Sequence, residues 1–131
     1  MPVRPISYKN SILWRKSEEL ISKTGSIDPF PEEIRQKLFL QFKEIVISVQ
    51  KDIKQAYLQN DQQVILYYFS KTKSSCLILE EMLTMSETIF PAGFYLEYLP
   101  VIDEMKSILD NYIHLSQINI VIENKRKEKK S

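Results

Sequence analysis

Residues Ile34–Ala56 read IRQKLFLQFKEIVISVQKDIKQA. Apolar residues recur there at Ile34, Leu38, Phe42, Ile45, Val49, Ile53 and Ala56. Steps of four and three are the period of one buried helix face. Ile45-Val46-Ile47 alone would suit a strand, but the longer period outweighs it. Upstream stands Asp28-Pro29-Phe30-Pro31. Proline is tolerated at a helix start, because the first N–H groups lack partners there anyway. Glu32 and Glu33 suit the positive end of the helix dipole. This stretch therefore reads as a long amphipathic helix.

Three further helical segments surround it. The first spans roughly Tyr8–Thr24, with Leu13, Leu20 and Ile21 in a stripe that Ile12 and Trp14 widen. Gly25 suits a left-handed residue that stops it. A third helix follows Gln59-Asn60-Asp61, with Asp61 as its N-cap. Its expected stripe is Val64, Tyr68, Ser75, Ile78, Met82, Met85 and Ile89, interrupted by Lys71. The lysine stem would cover apolar surface there while its ammonium reaches water. Phe90-Pro91-Ala92-Gly93 connects to a fourth helix with Leu99, Ile102, Met105, Leu109, Tyr112 and Ile113 on one face. Pro100 falls near its start. Ile118, Ile120 and Ile122 alternate, which would allow a short strand, but continuation of the helix is the better reading. Short loops joining such helices imply an all-α, up-down-up-down four-helix bundle.

Composition agrees. The chain has 131 residues, 44% hydrophobic and 27% charged, the balance of one globular domain. Only two glycines occur, so folds with many tight turns are disfavoured. Cys76 is the single cysteine and excludes an intrachain disulfide, and MPVRPISYKN lacks the apolar core of a signal peptide. With no apolar run near the ~20 residues of a membrane span, a soluble, cytoplasmic protein is expected. Net charge is +1, unevenly placed. The end, NKRKEKKS, holds five bases and one acid, which leaves 13 bases and 16 acids elsewhere. The expected layout is a bundle over 1–123 and a basic flexible tail over 124–131.

Catalytic patterns are missing. His114 is the lone histidine, and Cys76 stands far from it in sequence. Glu80 and Glu81 lack the Glu-x-x-His partners of a dimetal bundle. Glycine-rich phosphate loops are absent. The expectation is no enzyme, no cofactor and no metal. The second helix instead carries Lys37, Lys43, Lys51 and Lys54 outside its apolar stripe, with Arg35 one turn earlier, diluted by Glu44 and Asp52. With Lys125, Arg126 and Lys127 of the tail, these are candidate phosphate contacts, a type that positions nucleic acid without reading its sequence.

Over roughly Ser11–Leu115 the chain resembles a bacterial four-helix-bundle family. That family includes the accessory variability proteins of diversity-generating retroelements and the proteins encoded in ribosomal RNA intervening sequences. Trp14-Arg15-Lys16-Ser17-Glu18-Glu19-Leu20 looks like the family's opening, and Phe30-Pro31 like its Phe-Pro before the second helix. Gln41–Val49 and Asp52-Ile53 resemble its Gln-apolar-Arg-Arg-Ala-apolar-apolar-Ser-Ile and Asn-Ile stretches. Glu44 departs from a usual base, and Ala56 stands where the family has glycine. The resemblance implies a homo-oligomeric barrel, commonly a pentamer, with basic residues facing nucleic acid. In the retroelement branch it implies a reverse transcriptase and its template RNA or cDNA as partners. The competing expectation is a protein-only oligomeric adaptor, or a ribosomal RNA intervening-sequence protein. Tyr67, Phe69, Phe94, Tyr95 and Tyr98 fall partly outside the main stripes and are candidates for an oligomer surface.

Overall fold

A computed structural model describes residues 8–25, 33–85 and 92–130. Among the described residues, four helices follow a single 3-10 turn at Tyr8–Asn10: α1 (Ile12–Gly25), α2 (Glu33–Leu58), α3 (Gln62–Met85) and α4 (Ala92–Lys130). Among the described residues there is no strand. Helix α1 packs on α2 and α4, α2 on α3, and α3 on α4, so α2 and α4 stand diagonally. No described helix is long and apolar enough to cross a membrane.

Local signals set the helix starts. The Trp14 N–H donates to Ser11 Oγ at 3.1 Å, which makes Ser11 the N-cap of α1. Tyr8 meets Trp14 edge to face at 4.8 Å and pins the preceding turn. Asp61 caps α3 as expected, accepting the Gln63 N–H at 2.8 Å. Gly25 departs from expectation. It is the last residue of α1 and its φ is not positive, so α1 does not end on a left-handed glycine. Pro100 lies well inside α4 rather than at its start, on the exposed side. There the N–H it lacks leaves only a solvent-side carbonyl unbonded.

The core runs through Leu13 and Leu20 of α1, Phe42, Val46, Val49 and Ile53 of α2, Cys76, Leu79 and Leu83 of α3, and Tyr98, Ile102, Met105 and Leu109 of α4. Phe42 and Tyr98 meet edge to face at 5.1 Å across the diagonal, closing the centre of the bundle. Such a ring pair adds about 0.5–1.5 kcal/mol beyond its burial. Small polar residues in the interior are satisfied by their own helix. Thr24 Oγ1 donates to the Ile21 carbonyl at 2.8 Å, and Thr72 Oγ1 to that of Tyr68 at 2.7 Å.

Two helices are turned relative to the sequence reading. In α2 the buried line is Phe39, Phe42, Val46, Val49, Ile53 and Ala56, while Leu38 and Ile45 flank it half-buried. The expected Ile34 side chain lies outside the described ones. In α3 the shift is complete: Phe69, Thr72, Cys76, Leu79 and Leu83 are buried, whereas Val64, Tyr68, Ser75 and Met82 are half-buried and Ile78 is exposed. Met85 and Ile89 lie outside the described side chains. Apolar residues occupy both faces of α3, so periodicity alone gives two equivalent stripes about 100° apart. In α1, Ile12 faces solvent instead of widening the stripe. Phe69 and Tyr98, expected at the surface, are buried, and of the proposed surface aromatics Tyr67 stays exposed. Phe94 and Tyr95 lie outside the described side chains.

Ion pairs tie neighbouring helices. Lys106 Nζ donates to Glu80 Oε2 at 2.6 Å, and Lys16 Nζ to Glu104 Oε2 at 2.6 Å. Lys73 pairs with Asp110. The hydrogen bonds to Glu80 and Glu104 raise the pKa of both lysines above the ordinary ammonium value. Asp52, expected on the exterior, is buried and meets Lys71 Nζ at 3.4 Å through Oδ1. Lys71 therefore spans to α2 rather than merely snorkelling, because its stem lies beside the true stripe at Thr72.

Candidate nucleic-acid interface

Placed at ~100° per residue around α2, the five expected bases divide. Taking Val46 as the core direction, Lys43, Lys54 and Lys51 fall within one sector about 80° wide. Lys37 lies further round, exposed and paired with Glu33 at 3.6 Å. Arg35 turns back towards the core side and is half-buried. The structure thus brings together three of the five.

Aromatic rings hold two of these three. The Lys43 ammonium stands 5.0 Å from the Phe39 ring centre, and that of Lys54 5.9 Å from Tyr8. Such cation–π contacts are worth about 0.5–1 kcal/mol at exposed sites. They hold the side chains close to the helix while leaving donors for an anion. Lys51 and Lys54 are exposed and Lys43 is half-exposed.

The same sector carries residues that the sequence reading passed over. Leu40, Ile47 and Leu58 are 56%, 47% and 54% exposed, and they interleave with the three lysines. The sector is therefore mixed aliphatic and basic rather than purely electropositive. Its one legible signal was that these residues fall outside any single stripe of α2. Glu44 borders the sector. Asp52 turns away from it into α3, so the patch is less diluted than the sequence suggested.

The stretch 124–130 continues α4 as helix, and Lys125, Arg126 and Lys127 are exposed on it. This basic end leaves the bundle at the end where α2 finishes. There Ala56, Tyr57, Gln59, Gln62, Phe69, Tyr112 and Ser116 line an open cleft of about 370 Å³. Lys51 and Lys54, in the last turns of α2, thus share one end of the molecule with the three tail bases.

The remaining reactive groups are inert or apart. Cys76 is fully buried, and desolvation pushes its thiol up to about 12. A protonated, enclosed thiol is a poor nucleophile. His114 is exposed on the side of α4 opposite Leu109, away from that core. Glu80 is occupied by Lys106, and Glu81 is exposed. Among the described residues no group of three His, Cys, Asp or Glu side chains is placed to hold a metal ion.

The class defined by this geometry is a four-helix bundle with a long, basic-ended final helix. No family model matches the chain, and neither does a curated protein or a solved structure.

Proposed function

We propose that the protein is a non-catalytic, nucleic-acid-binding accessory subunit working as a homo-oligomer. Its partner would be a retroelement reverse transcriptase, which it assists in copying template RNA into cDNA. The observation that supports the binding role is the placing of Lys43, Lys51 and Lys54 on one sector of α2, the last two towards the end where the α4 bases emerge. The motif resemblance at Trp14–Leu20, Phe30-Pro31 and Gln41–Val49 supports the retroelement role.

A second reading has its own observation. Leu40, Ile47 and Leu58 lie exposed among the lysines, an arrangement suited to a protein partner with a basic fringe. This is the oligomeric adaptor.

Fluorescence anisotropy with a labelled structured RNA separates the two. Affinity should fall as salt rises, because each phosphate contact releases counterions. Replacing Lys43, Lys51 and Lys54 by alanine should reduce the log–log salt slope by about 2–3 and leave the helical signal intact. Replacing Lys125, Arg126 and Lys127 should do likewise. Equal binding by all three proteins would show the lysines to be merely solvated. Absence of binding at low salt, with or without a co-purified polymerase, would leave the adaptor reading.

A further inference from the structure

Helix α4 outruns the bundle. Leu115 and Ser116 share the end cleft with Gln62, the first residue of α3. Beyond Ser116, residues 117–130 project about 21 Å into solvent. Except for half-buried Ile120, every residue from Gln117 to Lys129 is exposed. An isolated helix of this length is marginal in water, and this one carries Ile118, Val121 and Ile122 at 42%, 52% and 42% exposure.

The order of residues along the solvent face is informative. At ~100° per residue, Asp103, Glu104, Ser107, Asn111, His114, Leu115, Val121, Ile122, Lys125 and Lys129 lie within about 60° of Ile118. The buried Met105, Leu109 and Ser116 lie on the opposite side, about 140–180° away. Asp110 borders the face. Read from the N-terminal end, the face is acidic, then neutral, then apolar, then basic. The carboxylates of Asp103, Glu104 and Asp110 stay 55–56% exposed despite their lysine partners.

We propose that this face docks a second copy of the chain, with the two α4 helices antiparallel about a two-fold axis near Ile118. Residues at like heights and on the same flank of the axis then meet. Ile118 meets its own copy, Leu115 meets Ile122, and His114 meets Val121. Lys125 falls beside Asp110, and Lys129 beside Ser107, one turn from Glu104. A two-fold contact needs a surface complementary to itself, and this order of charges provides one in the antiparallel sense. A parallel pair would set base on base and acid on acid. A polyanion in the same place would meet three carboxylates. The contact adds a specific interface to the homo-oligomer of the functional reading, and it does not require nucleic acid.

Light scattering on the full chain without nucleic acid tests it. The wild type should have at least twice the 15.5 kDa chain mass at micromolar concentration. Ile118→Asp with Ile122→Asp should at least halve the assembly mass and leave helical circular dichroism unchanged. Orientation is tested by charge exchange. Lys125→Glu with Lys129→Glu gives an all-acidic face, and Asp103→Lys with Glu104→Lys and Asp110→Lys gives an all-basic one. Each should lose the contact alone, and an equimolar mixture should regain it as a mixed assembly. A monomeric wild type, an unchanged mass in the Ile118/Ile122 variant, or self-association of either charge variant as strong as wild type would overturn the proposal. An unchanged mass in a higher oligomer would leave the functional reading standing while removing this interface. Loss of RNA binding with the contact intact would do the reverse.

Discussion

Truncation of Leu79 and of its neighbour Ile78 tests the packing of α3 directly. Leu79 is fully buried, whereas Ile78 is 47% exposed. Leu79→Ala removes three carbons from the core, about 2.4 kcal/mol at ~0.8 kcal/mol each. The cavity left behind brings the expected loss to about 3 kcal/mol, within the range for such changes. Ile78→Ala removes the same number of carbons from a half-solvated position. Roughly half the transfer term applies, and alanine recovers about 0.4 kcal/mol of helix propensity, so the loss should stay under about 1 kcal/mol. Unfolding entropy near 2.1 cal/mol/K per residue gives this chain about 0.28 kcal/mol/K. Leu79→Ala should therefore melt about 11 °C below wild type, and Ile78→Ala no more than about 4 °C below. The assay is thermal unfolding followed at 222 nm, at one fixed protein concentration because self-association couples to Tm. If Ile78→Ala loses as much as Leu79→Ala, α3 is turned about 100° from the arrangement described.

Lys71→Met should destabilise the bundle by about 2 kcal/mol, because it leaves the buried Asp52 carboxylate without its cation; Lys71 is half-exposed, which holds the loss below that of a fully buried pair. Asp52→Asn should restore most of that loss in the Lys71→Met background, and urea titrations of the single and double variants measure it. Failure of the second change to rescue would show that the pair is not coupled. Native Cys76 should resist alkylation at pH 8 and react at once in guanidinium. Its burial also makes stability fall in alkali. Below pH 9 the thiol is protonated in both states, and its contribution is whole. Between pH 9 and about 12 it ionises in the unfolded chain first, so on the order of 4 kcal/mol is lost. Cys76→Ala should flatten that fall in chemical denaturation curves taken across the range. A remainder should persist, because burial also raises the Tyr57 and Tyr98 phenols above their ordinary value.

The sequence by itself determined the helices of the described residues, their order and the Asp61 cap of α3, because these depend on local chemistry. Asp61 caps α3 wherever the rest of the chain lies, and a step of three and four makes a helix before any partner arrives. It also determined that Lys43, Lys51 and Lys54 share a side of α2, since residues on one helix keep fixed relative angles. Tertiary structure decided which side of each helix faces inward. In α3, Ile78 and Leu79 are equally apolar and adjacent, and the facing residues of α2 and α4 select Leu79. Tertiary structure also decided the ion pairs, which join residues far apart in the chain, as Asp52 with Lys71 and Glu80 with Lys106. Nothing in local composition distinguishes a carboxylate that will meet a lysine from one that will meet water. The charge order along α4 was present in the sequence throughout. It became a face only when the bundle claimed the Leu109 side and α2 and α3 ended short of Ile118.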